Sequence, residues 1–190
     1  MNSIKKAICI AAIAASAGAQ ANAPIVISEV ESNDTIATAQ DLGSLVSGSE
    51  VNVVGLRFDF PPFLNSSVDY YKFSTASTLN FTFSVATLTG PAGENDPMVG
   101  LFSSTGNLID MNDDISDDNY DSHLTRSVSA GTYYVAVTGY NLAQDFSGTG
   151  DKNWPYTLTI SAAPVPEPES YAMFLAGLGI IGAVARRKAA

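Results

Sequence analysis

Cysteine is almost missing from this chain. The one thiol, Cys9, lies in an apolar run near the amino terminus. No disulfide, cysteine-based zinc site or cysteine nucleophile is therefore available to the rest of the chain. A secreted domain of that kind is held by its core, with bound metal as the remaining staple. Basic residues are also scarce, nine Lys and Arg against nineteen Asp and Glu. Between Pro24 and Ala163 the bases are Arg57, Lys72, Arg126 and Lys152, against seventeen acids, a net charge of −13. Such a surface repels phosphate backbones and anionic headgroups, which excludes nucleic acid as a partner. It favours cations, or simple solubility. Histidine is limited to His123, with Ser122 beside it. There is no Gly-x-Ser-x-Gly elbow, no His-Glu-x-x-His and no phosphate-cradling loop. Nothing singles out a carboxylate pair for glycoside hydrolysis. The expectation is a protein that is not an enzyme.

What is present begins at the ends. Lys5 and Lys6, the run Ala7–Ala15, and small-x-small sites at Ala19–Ala21 and Ala21–Ala23 read as a secretory signal peptide over residues 1–23. Cleavage is expected after Ala21, because the later site places Pro24 directly after the cut. At the other end, Ala162 to Pro168 (AAPVPEP) reads as an extended linker, since its prolines cannot join a sheet interior. Tyr171 to Ala185 is then apolar, and Arg186, Arg187 and Lys188 close it. That order suits a transmembrane sorting segment with a cytoplasmic stop, although the run is short of the ~20 residues of a full span.

The interior reads as strands and turns. The stretch Leu108–Tyr140 organises it, with two apolar strands flanking the most acidic loop. Strands are expected near 51–58, 70–75, 79–87, 98–103, 108–111, 122–129, 132–140 and 156–161. Turn signals such as Gly90-Pro91, Gly106-Asn107 and Gly148-Thr149-Gly150 separate them. Period-two alternation predicts Phe81, Phe83 and Val85 facing inward. Short strands at this spacing indicate an all-β, antiparallel, jelly-roll-like sandwich over residues 24–163, followed by the sorting signal over 164–190. Trp154, the only tryptophan, falls in a long expected loop, Asn141–Pro155, as a lid on the core or an edge ring for stacking on a sugar.

Two acidic stretches are candidate metal sites. Glu29, Glu31 and Asn33 are spaced by two, so an extended segment puts their oxygens on one face. Three hard oxygen donors there can begin a calcium site. Asp34 also reads as the cap of a short helix, Thr35 to Leu42, ended by Gly43, in which case these acids are only a cap and solvated charges. The second stretch is Asp110, Asn112, Asp114, Ser116, Asp118 and Asp121, at positions one, three, five, seven, nine and twelve. Ile115 stands where a calcium loop of the EF-hand type needs glycine, and the last residue is Asp rather than Glu. That leaves a loop-type Ca²⁺ site or a solvated hairpin tip.

Two resemblances add to this reading. The tail Val165-Pro166-Glu167-Pro168, the apolar run and Arg186-Arg187-Lys188 together resemble the PEP-CTERM sorting signal of Gram-negative bacteria. That resemblance implies export, recognition by an exosortase, and a cell-envelope, biofilm or exopolysaccharide-matrix setting, with the membrane reached through the carboxy-terminal segment before processing. The body, from about Val26 to Ser161, resembles the bacterial pre-peptidase C-terminal domain, a small β-sandwich. The matching stretches are Glu31–Asp34, Val68–Phe73, Leu108–Asp114, Asp121–Leu124 and Ala130–Val137. The resemblance implies a calcium site whose ligands correspond to Glu29, Glu31, Asn33, Asp34 and Asp69. This chain differs in carrying no attached peptidase and in a longer insert, Phe58 to Ser67. The functional expectation is a calcium-stabilised envelope or matrix protein binding polysaccharide or protein. The alternative is a secreted carbohydrate-active or peptidase-associated enzyme, or its accessory module.

Overall fold

A computed structural model describes residues 23–57, 68–87, 95–148, 154–166 and 168–189. Of the signal peptide expected over residues 1–23, all but residue 23 lies outside the described residues, as does the insert 58–67. Among the described residues, ten strands and one helix follow in order. They are β1 (Ile25–Ser28), β2 (Gln40–Ser44), β3 (Glu50–Arg57), β4 (Val68–Thr75), β5 (Leu79–Thr87), β6 (Pro97–Ser103), β7 (Leu108–Asn112), β8 (Ser122–Val128), β9 (Gly131–Gly139), β10 (Trp154–Pro164) and α1 (Pro168–Ala189). They make two five-stranded sheets, ordered β1-β3-β10-β5-β8 and β2-β4-β9-β6-β7.

The core lies between the sheets, and the two-residue period builds it. Along β5 the side chains of Leu79, Phe81, Phe83 and Val85 are buried, while those between are partly exposed. Tyr71 and Phe73 of β4 and Val135 and Val137 of β9 face them from the other sheet. Phe73 packs against both Phe81 and Phe83, with ring centroids 5.0 and 5.7 Å away. The second half of β9 is buried on both faces, because Phe146 folds from the following loop onto Phe102 and the outer face.

Several sequence expectations change. The sandwich is not wholly antiparallel: β1 pairs parallel with β3, and β2 parallel with β4. One amino-terminal segment thus supplies an edge strand to each sheet. The expected helix from Thr35 to Leu42 does not form. A hydroxyl-bonded turn at Thr35–Thr38 is followed by β2. Edge pairing with β4 outweighs the weak propensity of a short, β-branched stretch. Gly43 takes φ 82° where the register shifts between Asp41 and Ser44, and the Asp41 carboxylate accepts its N–H. Trp154 is not in a loop but opens β10, and it is buried. The expected linker at Ala162 begins later, since β10 runs to Pro164 and Ala162 is buried with both backbone groups bonded. Among the described residues, no helix is long and apolar enough to cross a membrane. In α1 the apolar run is bounded by Glu169 and by Arg186-Arg187, inside the helix itself. Val165, Pro166, Arg186 and Arg187 are exposed.

Candidate metal centre

The segment that supplies β1 and β2 crosses from one sheet to the other over an open end of the sandwich. Its path is fixed by polar contacts. Glu29 N–H donates to Val54 O, and Tyr70 N–H donates to Asn33 O. Gln40 bonds back to both Val30 N–H and Ser28 O. This crossing brings Glu29 and Glu31 over Asp69, the second residue of β4. One carboxylate oxygen from each of the three lies within 4.8 Å of the others, a spacing that could hold a metal ion. Asn33 is fully buried beside them, and its Nδ2 donates to Glu29 Oε1 at 3.2 Å.

Below the carboxylates sit two tyrosines that sequence reasoning did not place in the site. Tyr71 donates to Glu29 Oε1 at 2.7 Å, and Tyr156 donates to Asp69 Oδ2 at 2.6 Å. The two phenolic oxygens are themselves 2.6 Å apart, and Tyr156 is 3.0 Å from Glu29 Oε1. Burial, reinforced by the carboxylates, pushes both phenols far above their ordinary range, so each keeps its proton. Two protons serve four close oxygen–oxygen contacts. The two remaining contacts need a proton on a carboxyl or a cation nearby.

The electrostatics agree. Burial first, then Glu29 and Glu31, push the Asp69 carboxyl well above the usual carboxylate range, while the Tyr156 hydrogen bond and Arg57 pull it back. Burial, Glu29 and Asp34 raise Glu31. Asp34 is also raised, by burial and more weakly by Glu29. Among the described residues, Asn33 Oδ1, Asp34 Oδ1 and Asp69 Oδ1 are buried without a hydrogen-bond partner. An orphaned buried oxygen normally costs about 1–3 kcal/mol. Calcium takes six to eight hard oxygens in loose geometry. Of the expected ligands, the carboxylates of Glu29, Glu31 and Asp69 converge in a way that fits that ion, with the unpartnered Asn33 Oδ1 as a further hard oxygen. Asp34 lies outside the converging group and is linked to it only electrostatically.

The acidic loop behaves differently from its spacing. Asp110 lies on β7 and pairs with Arg126 at 3.3 Å, and Asn112 accepts from His123 N–H. Asp121 accepts from Thr87 N–H, and Ser116 pairs with Asn119 across a tight turn. The alternating donors therefore do not converge. Instead Asp113 and Asp114 meet Asp96, just before β6, with oxygens within 4.8 Å of one another. Asp96 carried no sequence signal for this. Tyr71 and Tyr156 had one: each is an inward position on an alternating strand, in the same phase as a candidate ligand or core residue.

The carboxy terminus is decided by comparison with known families. It carries a PEP-CTERM protein-sorting motif. The match covers residues 164–188, which include Val165-Pro166-Glu167-Pro168 and the basic cluster. The motif implies an exported protein sorted by an exosortase-type enzyme to the cell envelope. Comparison with curated proteins gave no match. Among solved structures, the chain is similar to the pre-peptidase C-terminal domain of a collagenase from Bacillus anthracis. The TM-score is 0.44 at 17% identity, over 65% of this chain and 94% of that one. It is also similar to a periplasmic inhibitor of g-type lysozyme from Aeromonas hydrophila. There the TM-score is 0.38 at 11% identity, over 74% of this chain and 99% of that one. A β-glucosidase from Paenibacillus barengoltzii matches with TM-score 0.32 and 10% identity, over 72% of this chain and 13% of its own length.

Proposed function

We propose that this chain is an exported, non-enzymatic envelope or matrix protein whose β-sandwich is stabilised by calcium. Once sorted, it binds polysaccharide or protein in an extracellular matrix. The observation that carries the reading is that one oxygen from each of Glu29, Glu31 and Asp69 lies within 4.8 Å of the others, while Asn33 Oδ1 and Asp69 Oδ1 are buried without a hydrogen-bond partner. The tail with its sorting motif supplies the address, and its apolar helix engages the membrane before processing.

When bound, calcium would supply positive charge to oxygens that have no hydrogen-bond donor among the described residues. Glu29 already accepts from Leu56 N–H at 2.7 Å as well as from Tyr71, so its carboxylate is held in place before any ion arrives. Tyr71 and Tyr156 fix the carboxylates from beneath. Asn33 ties the crossing segment to β4 through Tyr70. The site thus joins an edge segment to both sheets.

The test is a thermal melt of the purified chain with calcium and with excess EDTA. Binding to the folded state alone adds about 2.7 kcal/mol at a hundredfold excess over the dissociation constant. For a domain of this size, EDTA is expected to lower Tm by several degrees. An unchanged Tm would reduce the carboxylates to solvated charge. A glycan array, with a check for hydrolysis of any sugar bound, separates a binder from an enzyme.

A further inference from the structure

The two ends of the sandwich differ in charge. One end is made by the turns 45–49, 76–78, 104–107 and 129–130, which join β2 to β3, β4 to β5, β6 to β7 and β8 to β9. Their sequences are LVSGS, AST, STGN and SA, without an acid or a base. Of the described strand residues that open onto them, only Glu50 is charged. The opposite end holds the carboxylates. Glu29, Glu31 and Asp34 lie in the crossing from β1 to β2, and a run of acids from Asp113 to Asp121 lies between β7 and β8.

The chain enters and leaves the sandwich at the uncharged end. Val51 pairs with Ile25 on one side and with Ile160 on the other, so β1 starts and β10 finishes at that end, in strands about 10 Å apart. The signal peptide expected over residues 1–23 and the sorting tail therefore join the domain on the same side. Only residues 165–167 separate the end of β10 from the start of α1, a reach of about 14 Å at most.

We propose that the uncharged end is the membrane-facing surface of the domain: while α1 engages the lipid, the four turns rest against an anionic headgroup layer and the carboxylates point outward. The proposal rests on the membrane reading of the tail given above. The short link holds this end at the surface, where clustered acids would be repelled. The opposite end stands one strand of eight or nine residues away, about 25–30 Å, or about three Debye lengths at physiological salt. Val46 and Leu108 are exposed at the near end and offer apolar surface to the interface. The hydroxyls of Ser47, Ser77 and Ser104 are donors for phosphate oxygens.

The experiment floats the full chain on vesicles of phosphatidylethanolamine and phosphatidylglycerol through its own tail. A fluorescent label sits on Ser77→Cys or on Ser116→Cys, in a Cys9→Ser background, and a headgroup-linked quencher reads proximity. The label at 77 is expected to lose its emission, and the label at 116, in the acidic connection, to keep it. Adding Ser47→Glu, Ser104→Glu and Ala130→Glu, all at exposed positions, should abolish quenching at 77 in low salt, with recovery in high salt and with flotation and Tm unchanged. A floating native chain quenched equally at both positions would overturn the orientation. So would a triple variant that stays quenched at 77, and if that variant were also no longer processed in cells, the surface would belong to the sorting enzyme. A native chain that does not float would instead remove the membrane reading of the tail, and this proposal with it.

Discussion

Asp69 and Tyr156 belong to opposite sheets, β4 and β10, yet the Tyr156 hydroxyl lies 2.6 Å from Asp69 Oδ2. The pair bridges the two layers of the sandwich through a buried polar contact, directly under the candidate ligands. Tyr156→Phe removes the donor and leaves the acceptor buried. The expected loss is about 1–3 kcal/mol, read as a lower midpoint in chemical denaturation in EDTA. Calcium should restore part of it.

Gly55 faces Tyr156 across the β3–β10 pair. A Cβ at Gly55 would run into the Tyr156 ring, with the hydroxyl oxygen at 2.6 Å. Gly55→Ala must therefore displace the tyrosine from Asp69. Overpacking of this kind costs about 1–3 kcal/mol. Calcium affinity should fall along with stability, whereas a remote destabilising change such as Gly100→Ala, which crowds Phe146 instead, should leave the affinity alone.

The pH dependence of the metal-free chain has a definite sign. The folded state holds Asp69 above its ordinary range, and Glu31 and Asp34 are raised as well. Between the unfolded and folded values the native state binds more protons than the unfolded one. Stability then falls as pH rises through that interval. In EDTA, Tm should drop from about pH 4 upward, and the increment given by calcium should grow over the same range. A metal-free Tm that climbs steadily from pH 4 to 7 would contradict the shifts.

Asp69→Ala with Glu31→Ala should abolish most of the response to calcium. If the double variant responds in full, the metal sits elsewhere, and Asp96, Asp113 and Asp114 become the place to mutate next.

Deleting Val165 to Ala190 removes the sorting motif and the helix together. The truncated chain should be found in the medium rather than in the envelope fraction. Unchanged fractionation would mean that retention depends on the sandwich.

Much of the sandwich was readable because burial follows a period of two. Phe81, Phe83 and Val85 alternate with small polar residues, and that pattern alone assigns their faces. The pattern fails where it has few residues to act on. β2 has five, one of them a glycine, and its identity comes from pairing with β4 rather than from its own sequence. Trp154 follows a long polar stretch, so its burial was visible only once β10 was seen to begin there. Glu29, Glu31 and Asn33 could be grouped from spacing, being local. Asp69 needed the family resemblance, and although Tyr71 and Tyr156 stood in phase with inward positions, their bonds to Glu29, across 42 and 127 residues, needed the fold. In the acidic loop, local spacing misled. The chain bends between Asp110 and Asp121, and one partner comes from Asp96, outside the counted run.

Strand β10 is last in the chain but central in its sheet, hydrogen-bonded to β3 on one side and β5 on the other. It also delivers Tyr156 to the carboxylates and ends at Pro164, where the sorting motif begins. Order of synthesis and order in space are therefore opposed. While the chain emerges from its amino terminus, β3 and β5 must wait with open edges, and the sandwich closes only when the last strand arrives. By then the address is only residues behind. Completion of the domain and presentation of its sorting signal are nearly one event, so a chain cut before Trp154 lacks both the central strand of one sheet and the address that follows it.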